Sequence, residues 1–181
     1  KNNESGIMRA YLCSISESTE QVCKSQLEKF GFEVILLNEK EPWIYKYKKF
    51  LNLAKENCIR IDADIIPNKN ILELKDCKYM MAQIRTFDMY RLDTWWTSPV
   101  FYSEEALHFI KLNIELLDEK RPETSAWRLL PQDKVKNLNI VCGIHGFGQN
   151  KETTERAKKN KIDRGQIKDF DFELYERLKQ L

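Results

Sequence analysis

Residues 58–68 read CIRIDADIIPN, from Cys58 to Asn68. Apolar and polar residues alternate over Cys58–Asp62, which predicts a β-strand. The strand runs into two aspartates, Asp62 and Asp64, one residue apart. Side chains at i and i+2 of a strand point to the same face, so the two carboxylates repel unless positive charge lies between them. A divalent cation is the economical partner, and hard oxygen ligands suit Mg²⁺ or Mn²⁺. The carboxyl ends of strands are also where open α/β sheets hold ligands. The plainer alternative is a strand-to-turn junction in which Asp62 caps and Asp64 is solvated.

The surroundings of this stretch decide the fold class. Residues 7–15 predict a strand. STEQVCKSQLEKFG, Ser18–Gly31, predicts a helix with capping-box spacing at Ser18 and Gln21 and a stop at Gly31. FEVILL, Phe32–Leu37, is a short apolar run suited to a buried strand. After Pro42, Trp43, Tyr47, Phe50, Leu51 and Ala54 recur at helical spacing. Lys46, Lys48 and Lys49 are expected on the outer face of that helix. With the strand at Cys58, the first 66 residues read strand–helix–strand–helix–strand. Helices of this length between strands imply right-handed parallel crossovers and an α/β sheet covered by helices.

The second half is less regular. YMMAQI (Tyr79–Ile84), SPVFY (Ser98–Tyr102) and LNIVCGI (Leu138–Ile144) predict strands. SEEALHFIKLNIELLDEK, Ser103–Lys120, predicts one helix with Leu107, Ile110, Ile114 and Leu117 inward. The aromatic-rich DMYRLDTWW, Asp88–Trp96, predicts a loop whose adjacent Trp95 and Trp96 divide between core and surface. DFELYERLKQL, Asp171–Leu181, predicts a short terminal helix. The expectation is a single domain over 1–181, with a metal and nucleotide half (1–66), an acceptor half (67–148) and a charged helical segment (149–181).

The chain has 181 residues, enough for a sizeable core, and a net charge of +2, which gives no global electrostatic case for a nucleic-acid partner. No apolar run approaches the ~18 residues of a membrane span. The five cysteines, Cys13, Cys23, Cys58, Cys77 and Cys142, are scattered without a CxxC spacing. They read as small buried residues of a reducing, cytoplasmic protein rather than as a zinc site.

The order of elements, with strand CIRI leading into Asp62-Ala63-Asp64 and then IIPN, closely resembles the GT-A glycosyltransferases over roughly residues 7–150. The resemblance implies a GT-A-like, Rossmann-like domain with a mostly parallel central sheet and a C-terminal helical extension. It implies that Asp62 and Asp64 hold Mn²⁺ or Mg²⁺ on the diphosphate of a nucleotide-sugar donor, and that a glycan, lipid-linked or protein hydroxyl is the acceptor. GIHGFGQN, Gly143–Asn150, resembles the C-terminal loop that supplies a histidine to the metal, here His145; the alternative is a polar residue in a flexible loop. Ser14 and Asn38, after the first two strands, and Asp62 fall where the donor nucleotide lies. Where many members place a base-reading aspartate after the second strand, this chain has NEKEP with Asn38 and Glu39.

Inverting members use a carboxylate to deprotonate the acceptor. Glu123, after Pro122, is the first candidate and Asp133 the rival. The alternative for Glu123 is a first-turn acid favoured by the helix dipole. The charged run from Gln149 to Gly165 reads as a solvated helix, from which Lys151 and Arg156 are nearest to stabilising a departing diphosphate. A Mg²⁺-dependent nucleotidyl or phosphoryl transferase and a non-catalytic binding module are the competing readings. The chain has no Gly-rich phosphate loop ending in GK[ST].

Overall fold

The structure, a computed structural model, describes residues 6–163. In chain order the elements are β1 Arg9–Cys13, α1 Glu20–Lys29, β2 Glu33–Leu37, α2 Trp43–Leu53, β3 Cys58–Asp62 and β4 Ile65–Pro67. They continue with β5 Met81–Asp88, β6 Asp93–Tyr102, α3 Glu104–Leu112, α4 Pro122–Leu129, β7 Val135–His145 and α5 Lys151–Asp163. The helix expected over residues 171–181 lies outside the described residues.

The strands form one mixed sheet in the order β2-β1-β3-β6-β5-β7-β4. β1 runs parallel to both β2 and β3, and β5 parallel to β7. β6 is antiparallel to β3 and β5, and β4 is antiparallel to β7. The sheet is therefore mostly parallel and flanked by helices, as the alternation of strands and helices implies. Cys13 is in register with both Leu37 and Asp62, so β1, β2 and β3 end on one edge. His145 is in register with Asp88 and Ile65, which brings the ends of β5 and β7 to that edge as well.

Each face of the sheet buries its own apolar cluster. Tyr47, Phe50 and Leu51 of α2 pack with Leu107 and Ile110 of α3 and Ala126 of α4. On the opposite face Cys23 and Leu27 of α1 pack with Ile59, Ile61, Ile71 and Leu74. All five cysteines are free, and four of them are buried.

Several expectations change in detail. The long helix from Ser103 ends at Leu112, where Asn113 caps it, and Leu117 reaches the core only after a 3-10 turn. Ser18 does not cap α1: its hydroxyl donates to the Gly148 carbonyl, and Thr19 takes the N-cap position. The aromatic loop is instead a β5–β6 hairpin, with β6 starting at Asp93. Its turn carries no Gly or Asn-Gly signal; the Asp88 carboxylate accepts the Tyr90 N–H, and Leu92 adopts a φ of 56°. Lys46 is not on an outer face. It is 3% exposed, with its Nζ donating to the Ser14 carbonyl.

β4 is three residues long and depends on the absence of a side chain at Gly143, its partner on β7. A Cβ there would stand 2.3 Å from the Ile66 carbonyl oxygen and 2.9 Å from the Pro67 Cα. Both are backbone atoms and cannot move without breaking the pair. Gly143→Ala is expected to cost about 2–3 kcal/mol in urea unfolding and to speed amide exchange along Ile65–Pro67. A loss below half a kcal/mol would show that β4 is not held by this contact.

Candidate active site

At the shared edge, β3 ends in Asp62 and β4 begins just beyond Asp64. Three contacts fix this turn. The Asp62 N–H donates to the Ser98 hydroxyl, the Ala63 N–H to the Cys13 carbonyl, and the Gly146 N–H to the Asp64 carbonyl. The loop after β7 thus closes over the aspartate pair. Gln149 extends the clasp by donating to the Thr19 hydroxyl, which donates to the Ala63 carbonyl.

The two aspartates do not share one partner. Asp62 keeps 39% of its side-chain surface open, and its Oδ1 takes the Arg60 guanidinium at 2.5 Å. Partial burial among neighbouring groups holds its carboxyl above the usual range; Arg60 opposes this, and the charges of Asp64 and Glu123 add to it. Asp64 turns to His145, with Oδ2 3.0 Å from Nε2. The second ring nitrogen, Nδ1, stands 3.4 Å from Oδ1 of the fully buried Asp88. Both nitrogens of His145 therefore face carboxylates. Tyr90 packs edge-on against its ring at a centroid distance of 5.5 Å.

That environment makes His145 a cation. Burial alone would lower its pKa, but Asp64 and then Asp88 outweigh it and raise the value to about 10. The free imidazole titrates near 6.5, so the folded value lies above the unfolded one. The stabilisation is fully present below pH ~6.5, declines as pH rises, and is gone once pH passes about 10. His145→Gln is expected to cost about 3 kcal/mol near pH 6. The gap between variant and wild type in urea unfolding should close as pH rises through 10. A gap that widened with pH would mean that the ring is held neutral.

Arg60 is the residue the sequence reading passed over. It is 3% exposed in the middle of β3. Its Nε and Nη2 donate to the two carboxylate oxygens of Glu123, each at 2.7 Å. Glu123 also accepts the Tyr102 hydroxyl, which contacts that of Tyr47. The Trp43 ring lies against the guanidinium, with its centroid 4.9 Å from Arg60 Cζ. The signal was present: one arginine inside an otherwise buried strand demands buried acids.

The other expected residues separate. Glu123 joins the cluster, but through Arg60 and with 16% of its side chain exposed. Asp133 does not join it. It is exposed in the turn before β7, and that eleven-residue strand carries the chain about 30 Å to His145. It lines an open cleft of about 830 Å³ at the far end of the sheet, which removes it as a base for chemistry at Asp62. Ser14 is 1% exposed, and its hydroxyl contacts the carboxylates of Glu17 and Glu20. Asn38 is exposed after β2. Lys151 and Arg156 are exposed on α5, with Lys151 paired to Glu155 at 4.0 Å.

Among the described residues no three His, Cys, Asp or Glu side chains stand close enough to hold a metal ion by themselves. This does not conflict with Mg²⁺, which is typically held by one or two carboxylates, with substrate phosphates and water completing its octahedron. The open carboxylate of Asp62, with Asp64 behind it, fits that donor set.

No protein-family model and no curated protein matches the chain. Solved structures do. The 4-diphosphocytidyl-2C-methyl-D-erythritol synthase from Anaerococcus prevotii aligns with a TM-score of 0.52 at 9% identity, over 88% of this chain and 97% of that one. A hypothetical transferase from Thermus thermophilus aligns at 0.49 and 9% identity, over 74% and 93%. The glycosyltransferase GlyE of Streptococcus pneumoniae aligns at 0.38 and 12% identity, over 74% and 45%. The first of these shows a shared fold, a Rossmann-like α/β fold with helices flanking the sheet, and at 9% identity it shows the fold alone.

Proposed function

We propose that this protein transfers a sugar from a nucleoside diphosphate sugar to a hydroxyl acceptor, a glycan, lipid-linked or protein hydroxyl, with Mg²⁺ or Mn²⁺ bound at Asp62 and Asp64. The observation that carries the reading is the open Asp62 carboxylate at the carboxyl edge of the sheet, the edge at which open α/β sheets hold ligands. Bound metal would neutralise the diphosphate as it leaves. The chain's own part is to hold the site in place. Arg60, fixed by both oxygens of Glu123, sets the Asp62 carboxylate. The His145 imidazolium balances Asp64 and Asp88 and ties the β7 loop to β4. Inversion through Glu123 would require it to release Arg60, so Glu123 is assigned here to positioning Arg60.

The shared fold with the Anaerococcus synthase supports a second reading, in which a nucleotidyl group moves and pyrophosphate leaves. One feature weighs against it. A phosphate chain on the first βα loop would use the N-terminus of α1. That position is filled by the helix's own acids: Glu20 lies in its first turn, and both Glu17 and Glu20 contact Ser14.

The two reactions release different products. Incubation with nucleoside diphosphate sugars and Mn²⁺ is expected to release nucleoside diphosphate. Incubation with nucleoside triphosphates and sugar phosphates is expected to release no pyrophosphate. Pyrophosphate formation without any nucleoside diphosphate release would replace the first reading by the second.

A further inference from the structure

Lys46 lies one turn after Trp43 on α2, the helix whose Trp43 ring rests against Arg60. It is 3% exposed, yet its ammonium meets only the neutral Ser14 carbonyl. Among the described residues no carboxylate pairs with it. An ammonium has three donors, and one withdrawn from water is costly unless a counter-charge meets it. The carbonyl fills one donor and supplies no counter-charge. The neighbouring cations are already committed. Arg60 is taken by Glu123 and Asp62, His145 stands between Asp64 and Asp88, and Arg91 lies 3.7 Å from Asp88. Lys151 and Arg156, the cations expected to meet a diphosphate, are exposed on α5.

The strand ends set where this ammonium stands. Ser14 follows Cys13, which is level with Asp62 on the adjacent strand. A strand spacing of ~4.8 Å and a rise of ~3.3 Å per residue put the Ser14 backbone about 6 Å from that of Asp62. The Cys13 thiol lies in the fields of both the Asp62 carboxylate and the Lys46 ammonium. We propose that Lys46 is a phosphate-binding residue of the candidate site, its ammonium taking one phosphate of a diphosphate whose other phosphate reaches the metal at Asp62. The inference rests on reading this edge as a site for a nucleotide's phosphates. Glycosyl and nucleotidyl transfer share that reading, so the assignment does not depend on which group moves. A phosphate supplies the missing counter-charge and acceptor oxygens for the two remaining donors. It also gives a reason for a buried lysine that the fold alone does not repay.

The test combines calorimetric titration and NMR on the full chain with Mg²⁺ present. The probes are inorganic pyrophosphate and the diphosphates UDP, GDP and CDP. Lys46→Gln removes the charge and keeps an amide donor for the Ser14 carbonyl. It is expected to weaken pyrophosphate and the bound nucleotide by about 10- to 100-fold, the range for a hydrogen bond to a charged group. In the wild type the Lys46 ¹⁵Nζ resonance, assigned as the one absent from the variant, should shift at saturating pyrophosphate. If Lys46→Gln does not fold, Lys46→Arg supplies the assignment and the wild-type resonance decides. Equal affinity in wild type and Lys46→Gln, or a ¹⁵Nζ resonance unmoved by pyrophosphate, would each overturn the proposal. If pyrophosphate binding needs Lys46 but no nucleoside diphosphate binds, the phosphate site stands and the nucleotide reading falls. If a nucleoside diphosphate binds both proteins alike, the Lys46 assignment alone falls. If no probe binds the wild type, both fall.

Discussion

Arg60→Met is expected to destabilise the protein by about 3–5 kcal/mol, more than any other single change at the candidate site. The side chain is 3% exposed and makes two 2.7 Å bonds to Glu123 and one to Asp62. Removing the guanidinium leaves the largely buried Glu123 beside Asp62 with nothing positive between them. The cost is that of an uncompensated buried charge rather than of the lost attraction. Methionine preserves most of the volume, so cavity formation adds little. Glu123→Gln should cost less, because the amide still accepts from Arg60 while Asp62 keeps the guanidinium partnered. The double variant Arg60→Met with Glu123→Gln should recover part of the loss, since it removes the orphaned charge. Urea unfolding of the three variants measures this. A loss below 1 kcal/mol for Arg60→Met would mean that water reaches the cluster and the pair is not buried in solution.

The second large effect concerns binding. Asp62→Asn keeps the shape and the Ser98 contact to the backbone N–H but removes the open carboxylate. In the wild type, nucleoside diphosphate at about 100 times its dissociation constant should add about 2.7 kcal/mol to stability in the presence of Mn²⁺. In Asp62→Asn that gain should fall to near zero, while unfolding without ligand changes little, because the side chain is 39% exposed. Asp64→Asn should behave differently. It breaks the His145 contact and so loses stability with or without nucleotide. As the second acid of the proposed metal site it should also lose the nucleotide-dependent gain, and an Asp64→Asn variant that kept that gain in full would mean that Asp64 does not hold the metal.

The first half of the fold was legible because its signals are local. Cys23 and Leu27 mark one face of α1, Tyr47, Phe50 and Leu51 that of α2, and Cys58–Asp62 is bounded as expected. The second half depends on long-range pairing that no local pattern encodes. β4 exists because Gly143 lets β7 approach it, and the β5–β6 turn is closed by an aspartate side chain rather than by glycine. The site was half legible for the same reason. Asp62, Asp64 and His145 are brought to one place, and Glu123 joins them through Arg60. Asp88 went unnoticed because a buried acid is recognisable only once its partner, His145, is known. Asp133 lies in the turn before an eleven-residue strand, and sequence alone does not tell which end of that strand faces the site. Lys46 shows the same limit, since helical spacing alone put it outside while the Ser14 carbonyl draws it in.

The central claim is that Asp62 completes a metal site only together with a nucleotide's phosphates. Electron paramagnetic resonance of free Mn²⁺, titrated with the protein in the presence and absence of UDP, GDP and CDP, tests it directly. The account predicts that the protein alone leaves most Mn²⁺ free, since no three acidic, histidine or cysteine side chains converge among the described residues. One of the nucleotides should draw Mn²⁺ into a bound state, and Asp62→Asn should release it. Tight Mn²⁺ binding without nucleotide, or nucleotide-dependent binding that survives Asp62→Asn, would contradict the account.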